Sequence, residues 1–191
     1  MPSAPLIMVI PHAEKPTQSI AGVREDGQQS SHDLIVRGWQ RAGALACFFA
    51  PTQGPMQSSL ISTPQFLFAS APSDGSSNEN ELKSHRPEET IEPLAKKLEL
   101  QINLQFAKGQ EADVAEAAQA CGGPVLIAWQ HEAIYEIAKA IPGGSVAPRN
   151  WPGKRFDIVF VFTLDSSNNA YDFAQVPQCL LAGDSTTHLL L

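Results

Sequence analysis

Leu6-Ile7-Met8-Val9-Ile10-Pro11-His12-Ala13-Glu14-Lys15-Pro16 is the stretch that decides the fold. An apolar run of strand length stops at a proline, and the residues that follow carry an imidazole, a carboxylate and an amine. Open α/β sheets present their ligands at the carboxyl ends of buried strands. A second apolar run, Val125-Leu126-Ile127-Ala128-Trp129, ends the same way in Gln130-His131-Glu132. Two strands that each deliver a histidine to one sheet edge predict a two-histidine site.

Working outward, strand-like and helical patterns alternate. Residues 21–33 are polar and contain glycine, which predicts a loop. Residues 34–49 carry Ile35, Trp39, Ala42, Leu45, Ala46 and Phe49 at helical spacing, and Pro51 follows as a stop. Residues 66–70 read as a short strand, and residues 71–83, centred on Ser73-Asp74-Gly75-Ser76-Ser77-Asn78-Glu79-Asn80, as a solvated loop close to the site. Pro87 suits the first turn of a helix that continues over 88–98 with Ile91, Leu94, Ala95 and Leu98 inward. A helix over 112–120 ends at Gly122-Gly123, the strand 125–129 follows, and a helix over 132–141 closes at Pro142-Gly143-Gly144. Ile158-Val159-Phe160-Val161-Phe162 is strongly β-forming. Ser166-Ser167-Asn168-Asn169 makes a turn, so 171–176 returns as a hairpin partner, and the tail from Pro177 packs or frays. The expected architecture is one domain over 1–191, a three-layer α/β/α sandwich whose mostly parallel sheet carries an antiparallel edge.

Composition narrows the function. The 191 residues carry 13 Lys and Arg against 20 Asp and Glu, a formal net charge of −7, with no basic stripe for a nucleic-acid backbone. Any anionic substrate must therefore be held by a local cluster of cations. Cys47, Cys121 and Cys179 are far apart and in no metal-type spacing, which predicts free thiols acting as buried small hydrophobes in a reducing compartment. The N-terminal apolar run lacks a basic start and is too short for a signal peptide or a membrane span, so a cytoplasmic location is expected. Asp, Glu and His form no ligand-like cluster, and neither metal nor cofactor is expected. Nothing in the chain specifies an oligomeric state.

Several segments resemble the histidine phosphatase superfamily, whose fold is phosphoglycerate mutase-like. The family's first motif, Arg-His-Gly or Arg-His-Ala continued in some members as Glu-Lys-Pro, is matched by Pro11-His12-Ala13-Glu14-Lys15-Pro16 except at the arginine. Leu34-Ile35-Val36-Arg37-Gly38-Trp39-Gln40-Arg41-Ala42 resembles the family's Leu-Thr-x-x-Gly-x-x-Gln-Ala helix entry. Ser84-His85-Arg86-Pro87-Glu88-Glu89-Thr90 resembles the segment that supplies a second arginine, and Trp129-Gln130-His131-Glu132 the strand end that supplies the second histidine. Trp151-Pro152 and Arg155-Phe156-Asp157 are similar to the subgroup with Glu-Lys-Pro. The matches run in family order from residue 6 to about residue 162.

The resemblance implies a phosphomonoesterase in which His12 attacks phosphorus to form a phosphohistidine that water hydrolyses. Arg86 would clamp phosphoryl oxygens bidentately, and His131 would donate to another. The leaving alcohol takes its proton from Glu132 or from Glu111. Pro11 stands where the family has its first arginine, and proline offers neither cation nor backbone N–H. Losing one such donor costs about 3 kcal/mol, roughly a hundredfold in rate, which Lys15 offsets in part as a point charge. The expectation is a weak phosphatase acting on a small phosphorylated metabolite or a phosphoprotein. The alternative is an impaired relative that binds a phosphorylated ligand or a protein partner. Glu14 is expected to be solvated beside Lys15, His32, His85 and His188 to lie on the surface, and Trp39, Trp129 and Trp151 to pack in the core or at its rim.

Overall fold

Alternation along the first strand sorts its side chains into two cores. Ile7 and Val9 face one side of the sheet and Met8 and Ile10 the other, and all four are fully buried. A strand with both faces apolar belongs between two helical layers. The computed structural model describes residues 4–72 and 84–190 and has that arrangement. Residues 73–83 of the expected polar loop, and Leu191, lie outside the described residues.

Strands β1 (Leu6–Pro11), β4 (Phe66–Ala69), β5 (Ile102–Asn103), β6 (Val125–Trp129), β7 (Ile158–Asp165) and β8 (Ala170–Pro177) form a six-stranded sheet of order β5-β4-β6-β1-β7-β8. The β5-β4-β6-β1 part is parallel, β7 runs antiparallel to β1, and β8 returns as its hairpin partner. This is the expected mostly parallel sheet with an antiparallel edge. Helices α1 (Val36–Phe49) and α2 (Arg86–Leu98) cover one face, packing Leu45, Phe49, Ile91 and Leu94 onto Met8, Ile10, Leu126 and Val161. Helices α3 (Glu111–Gln119) and α4 (Ile134–Ala140) cover the other, packing Val114, Ala118, Ile134 and Ile137 onto Ile7, Val9, Ile127 and Phe160.

The structure differs from the sequence reading in several details. The 21–33 loop contains a small ribbon of β2 (Gly22–Val23) and β3 (Gln29–Ser30), and β5 adds an edge strand; two-residue strands carry no periodicity to read. α2 begins at Arg86, so the candidate clamp residue opens the helix, and the helix expected over 132–141 splits into a 3₁₀ turn, His131–Ala133, followed by α4. Cys47 and Cys179 are exposed, not buried as expected, although all three cysteines are free. Cys47 falls on the solvent stripe of α1, in step with Val36, Gln40 and Gly43, while its small size and polarity left the facing undetermined. Among the described residues no helix is long and apolar enough to cross a membrane.

Candidate active site

Adjacent parallel strands bring the two histidines together. β1 and β6 pair with Pro11 opposite Trp129, so His12 and His131 leave the same sheet edge, and the His12 amide donates to the Trp129 carbonyl at 2.8 Å. Their rings stand edge-on with centroids 5.7 Å apart, and Phe156 lies 6.1 Å from the His12 ring on a further side. A Cβ built on Gly153 would sit 3.4 Å from His131 Nε2, so the 151–156 segment runs against both histidines.

His12 is 2% exposed, and its Nδ1 lies 2.8 Å from the Ala13 carbonyl. A carbonyl only accepts, so Nδ1 carries the proton and Nε2 keeps a lone pair. Burial lowers the His12 pKa to about 4, with Arg86, His131 and Lys15 pushing the same way against the Ala13 bond. The imidazole is thus neutral at physiological pH, as a nitrogen nucleophile requires. Burial also lowers the His131 pKa, opposed by Glu132 and reinforced by Lys15, Lys108 and Arg86.

Arg86 donates from Nη1 to the Ser31 carbonyl at 3.3 Å, while its buried Nε has no partner among the described residues. Burial pulls its pKa below the ordinary value, against Glu89, Glu132 and Asp33. Lys15 is half-buried, acts on both histidines, and makes no salt bridge among the described residues. Arg86, with Nε unpartnered among the described residues, and Lys15 both act on the two imidazoles, an arrangement whose charge is complementary to an anion.

The two carboxylates considered as proton donors are both occupied. Glu132 accepts from Lys108 at 2.7 Å, and its other oxygen lies 3.2 Å from His131 Nδ1. Partial burial pushes its pKa up, but the Lys108 bond and the nearby cations outweigh this and hold it at about 2. Glu111, the first residue of α3, accepts on Oε1 from the Gly109 amide and from Trp129 Nε1, each at 3.0 Å.

Glu14 contradicts its expectation. It is 7% exposed and accepts from Arg41 at 2.8 Å and from Arg37 at 3.2 Å. Arg41, itself 2% exposed, spends its remaining donors on Gln178 and on both oxygens of Asp184. The backbone after His12 turns Glu14 inward onto α1, where a buried arginine awaits a carboxylate. Arg41 and Asp184 were not candidates in the sequence, since nothing local distinguishes a helix arginine that faces the core.

A cavity of about 410 Å³ is lined by Asp33, Glu88, Glu89 and Glu92 with Arg24, His32 and His85. His32 and His85 thus border a cavity, His85 while exposed and His32 half-buried, and His188 is exposed as expected. Trp129 is fully buried, Trp151 stacks on Phe160 with centroids 4.7 Å apart, and Trp39 donates to the Val23 carbonyl, all packing roles. Among the described residues no group of three His, Cys, Asp or Glu side chains is placed to hold a metal ion.

No family model and no curated protein sequence matches the chain. Among solved structures, the native mycobacterial glucosyl-3-phosphoglycerate phosphatase matches with a TM-score of 0.50 at 11% identity, over 90% of this chain and 97% of that one. The same phosphatase in complex with VO3 matches at 0.49 and 13% identity, over 90% and 97%. A protein described as mycobacterial hydrolase 2 matches at 0.47 and 13%, over 90% and 89%. At such identities the likeness is one of fold: this chain has the phosphoglycerate mutase-like α/β architecture.

Proposed function

We propose that the chain is a phosphomonoesterase-like hydrolase of the histidine phosphatase type, with His12 as nucleophile. The observation that carries this reading is His12 itself, held as a neutral imidazole with Nδ1 bonded to Ala13 and Nε2 without a hydrogen bond among the described residues, 5.7 Å ring to ring from His131. In the reaction Nε2 bonds to phosphorus as the ester oxygen leaves with a proton. Water then attacks the phosphohistidine and restores the imidazole. Arg86 and His131 supply donors to the phosphoryl oxygens, and Lys15 supplies the point charge where Pro11 offers none. Phosphoryl transfer rests mainly on positioning and charge stabilisation, so these donors carry most of the rate.

Glu132 serves in the free protein as an ionised carboxylate that keeps Lys108 and His131 in place. Acting as the acid requires a bound phosphate to displace Lys108 and raise its pKa. Glu111 keeps Oε2 for a proton while Oε1 holds Trp129. If either is the donor, its Gln variant slows esters with poor leaving groups more than those with good ones. The substrate class is a small phosphorylated metabolite or a phosphoprotein. A second reading, in which the pocket binds a phosphorylated ligand or partner without turnover, is favoured by one observation, Pro11 at the position of the missing cation.

Hydrolysis of an activated aryl phosphate from about pH 5 to 8, wild type against His12→Ala, decides between them. The proposal expects turnover that disappears in His12→Ala and no acid limb near 6.5, since burial has already moved His12 to about 4. Vanadate binding without turnover selects the second reading, and absence of both overturns the site.

A further inference from the structure

The candidate nucleophile and the candidate phosphate clamp belong to elements distant in sequence, β1 and α2. One buried hydroxyl joins them. The Ala13 amide donates to Thr90 Oγ1 at 2.8 Å, across 77 residues of sequence. Thr90 Oγ1 lies 2.6 Å from the Arg86 carbonyl. An amide only donates and a carbonyl only accepts, so the direction of both bonds is fixed: Thr90 accepts from the nucleophile loop and donates to the first turn of α2.

Threonine in a helix often bonds the carbonyl four residues back, a local habit that slightly weakens the helix and needs no functional reason. The bond to Ala13 is not local. Ala13 also accepts the His12 Nδ1 proton on its carbonyl at 2.8 Å, so both of its polar backbone groups are held. Continuous bonding thus runs from the His12 ring through Ala13 and Thr90 to the backbone of Arg86. Thr90 is fully buried.

We propose that Thr90 is a positioning residue that fixes the separation between the His12 nucleophile and the Arg86 clamp. This rests on the phosphoryl-transfer reading of the site. Misplacing reacting groups by about 1 Å can cost roughly a hundredfold in rate. A hydroxyl that acts through geometry should therefore affect kcat more than substrate affinity.

The test compares Thr90→Val, which keeps the shape and removes the hydroxyl, with Thr90→Ser, which keeps the hydroxyl. On an aryl phosphate, Thr90→Val should lower kcat about 10- to 100-fold with KM within about threefold, and Thr90→Ser should restore kcat to within about threefold of wild type. In an Arg86→Ala background the Thr90→Val effect on kcat should shrink to less than about threefold, because the clamp being positioned is gone. Lower melting temperatures in both variants with wild-type kcat in both would overturn the proposal. If Thr90→Val does not fold, Thr90→Cys takes its place, its weaker hydrogen-bonding thiol expected to give an intermediate loss of kcat; wild-type kcat there also overturns it. If the wild type shows no turnover, the phosphatase reading fails separately. Affinity for vanadate, whose trigonal-bipyramidal form mimics the transition state, then becomes the readout, weakened at least about tenfold in Thr90→Val but not in Thr90→Ser. Equal vanadate affinity in both, or none in wild type, rejects the positioning role.

Discussion

Replacing Glu89 by Gln should remove a pH dependence of stability that the buried Asp33–Glu89 pair builds into the fold. Glu89 is 7% exposed and Asp33 6%. Burial, then the hydrogen bond to Asp33, raises the Glu89 pKa to about 9 against the opposing Leu34 amide bond of 2.9 Å. Burial alone would raise Asp33 too, but bonds from Glu89 and Ser30 outweigh it and hold Asp33 below its ordinary value. The pair therefore shares one proton, carried by Glu89. In the unfolded chain Glu89 loses that proton near 4.5, and in the folded chain near 9. Its contribution is fully present below 4.5 and declines as pH rises toward 9. Across that window the folded state holds one proton more, so stability falls by about 1.4 kcal/mol per pH unit, or about 2.7 kcal/mol from pH 6 to 8. Gln keeps an acceptor for the Leu34 amide and a donor for Asp33 but does not titrate. Urea unfolding of both proteins at pH 6, 7 and 8 should show the difference, wild type minus Glu89→Gln, falling with that slope. His12, lowered to about 4, loses stability only as pH falls below 6.5, and it does so equally in both proteins. Parallel stability profiles would refute the shared proton.

Arg41→Met should cost about 3–5 kcal/mol, because it strands the buried Glu14 and Asp184 carboxylates; a loss under about 1 kcal/mol in denaturant unfolding would show that water reaches them. Gly38→Ala should destabilise by about 1–3 kcal/mol, since its Cβ would meet the Glu14 carbonyl oxygen at 2.6 Å; unchanged thermal unfolding would show that the loop after His12 yields without cost. Pro11→Arg should raise aryl phosphatase turnover about 10- to 100-fold, and Lys15→Met should lower it in wild type but far less in Pro11→Arg. Equal effects of Lys15→Met in both backgrounds would refute the idea that one cation stands in for the other.

The sheet was legible wherever a strand is buried on both faces. Residues 6–10 and 125–129 are unbroken apolar runs ended by polar or proline residues, and both histidines follow from their ends. β2, β3 and β5 were not legible, because a two-residue ladder is specified by the partner across it and not by its own composition. Side-chain facing was legible for large apolar residues and failed for Cys47. Glu14 failed for a different reason. Beside Lys15 it reads as half of a solvated pair, whereas its actual partners, Arg37 and Arg41, are 23 and 27 residues away. Thr90 was visible only as part of a motif, since the bond that gives it a role reaches back to Ala13.

The proposed anion site depends on how the charges around the two histidines are distributed. The acids near the site have partners of their own: buried Glu14 and Asp184 pair with Arg41, Asp33 with the Glu89 proton, and exposed Glu132 with Lys108. Among the described residues Lys15 makes no salt bridge, Glu89, Glu132 and Asp33 act on Arg86 without a hydrogen bond to it, and both cations depress the pKa of His12 and His131. Under the proposed function these cations are the charge that an incoming phosphate dianion meets. Glu88, Glu89 and Glu92 of α2 lie close enough in sequence to Arg86 to pair with it. Instead Glu89 turns to Asp33 and to the Leu34 amide, leaving Arg86 Nε without a partner among the described residues. On the proposed phosphatase reading, this distribution of charge favours an anion site whose cations are Arg86 at the start of α2 and Lys15 on the loop beyond β1.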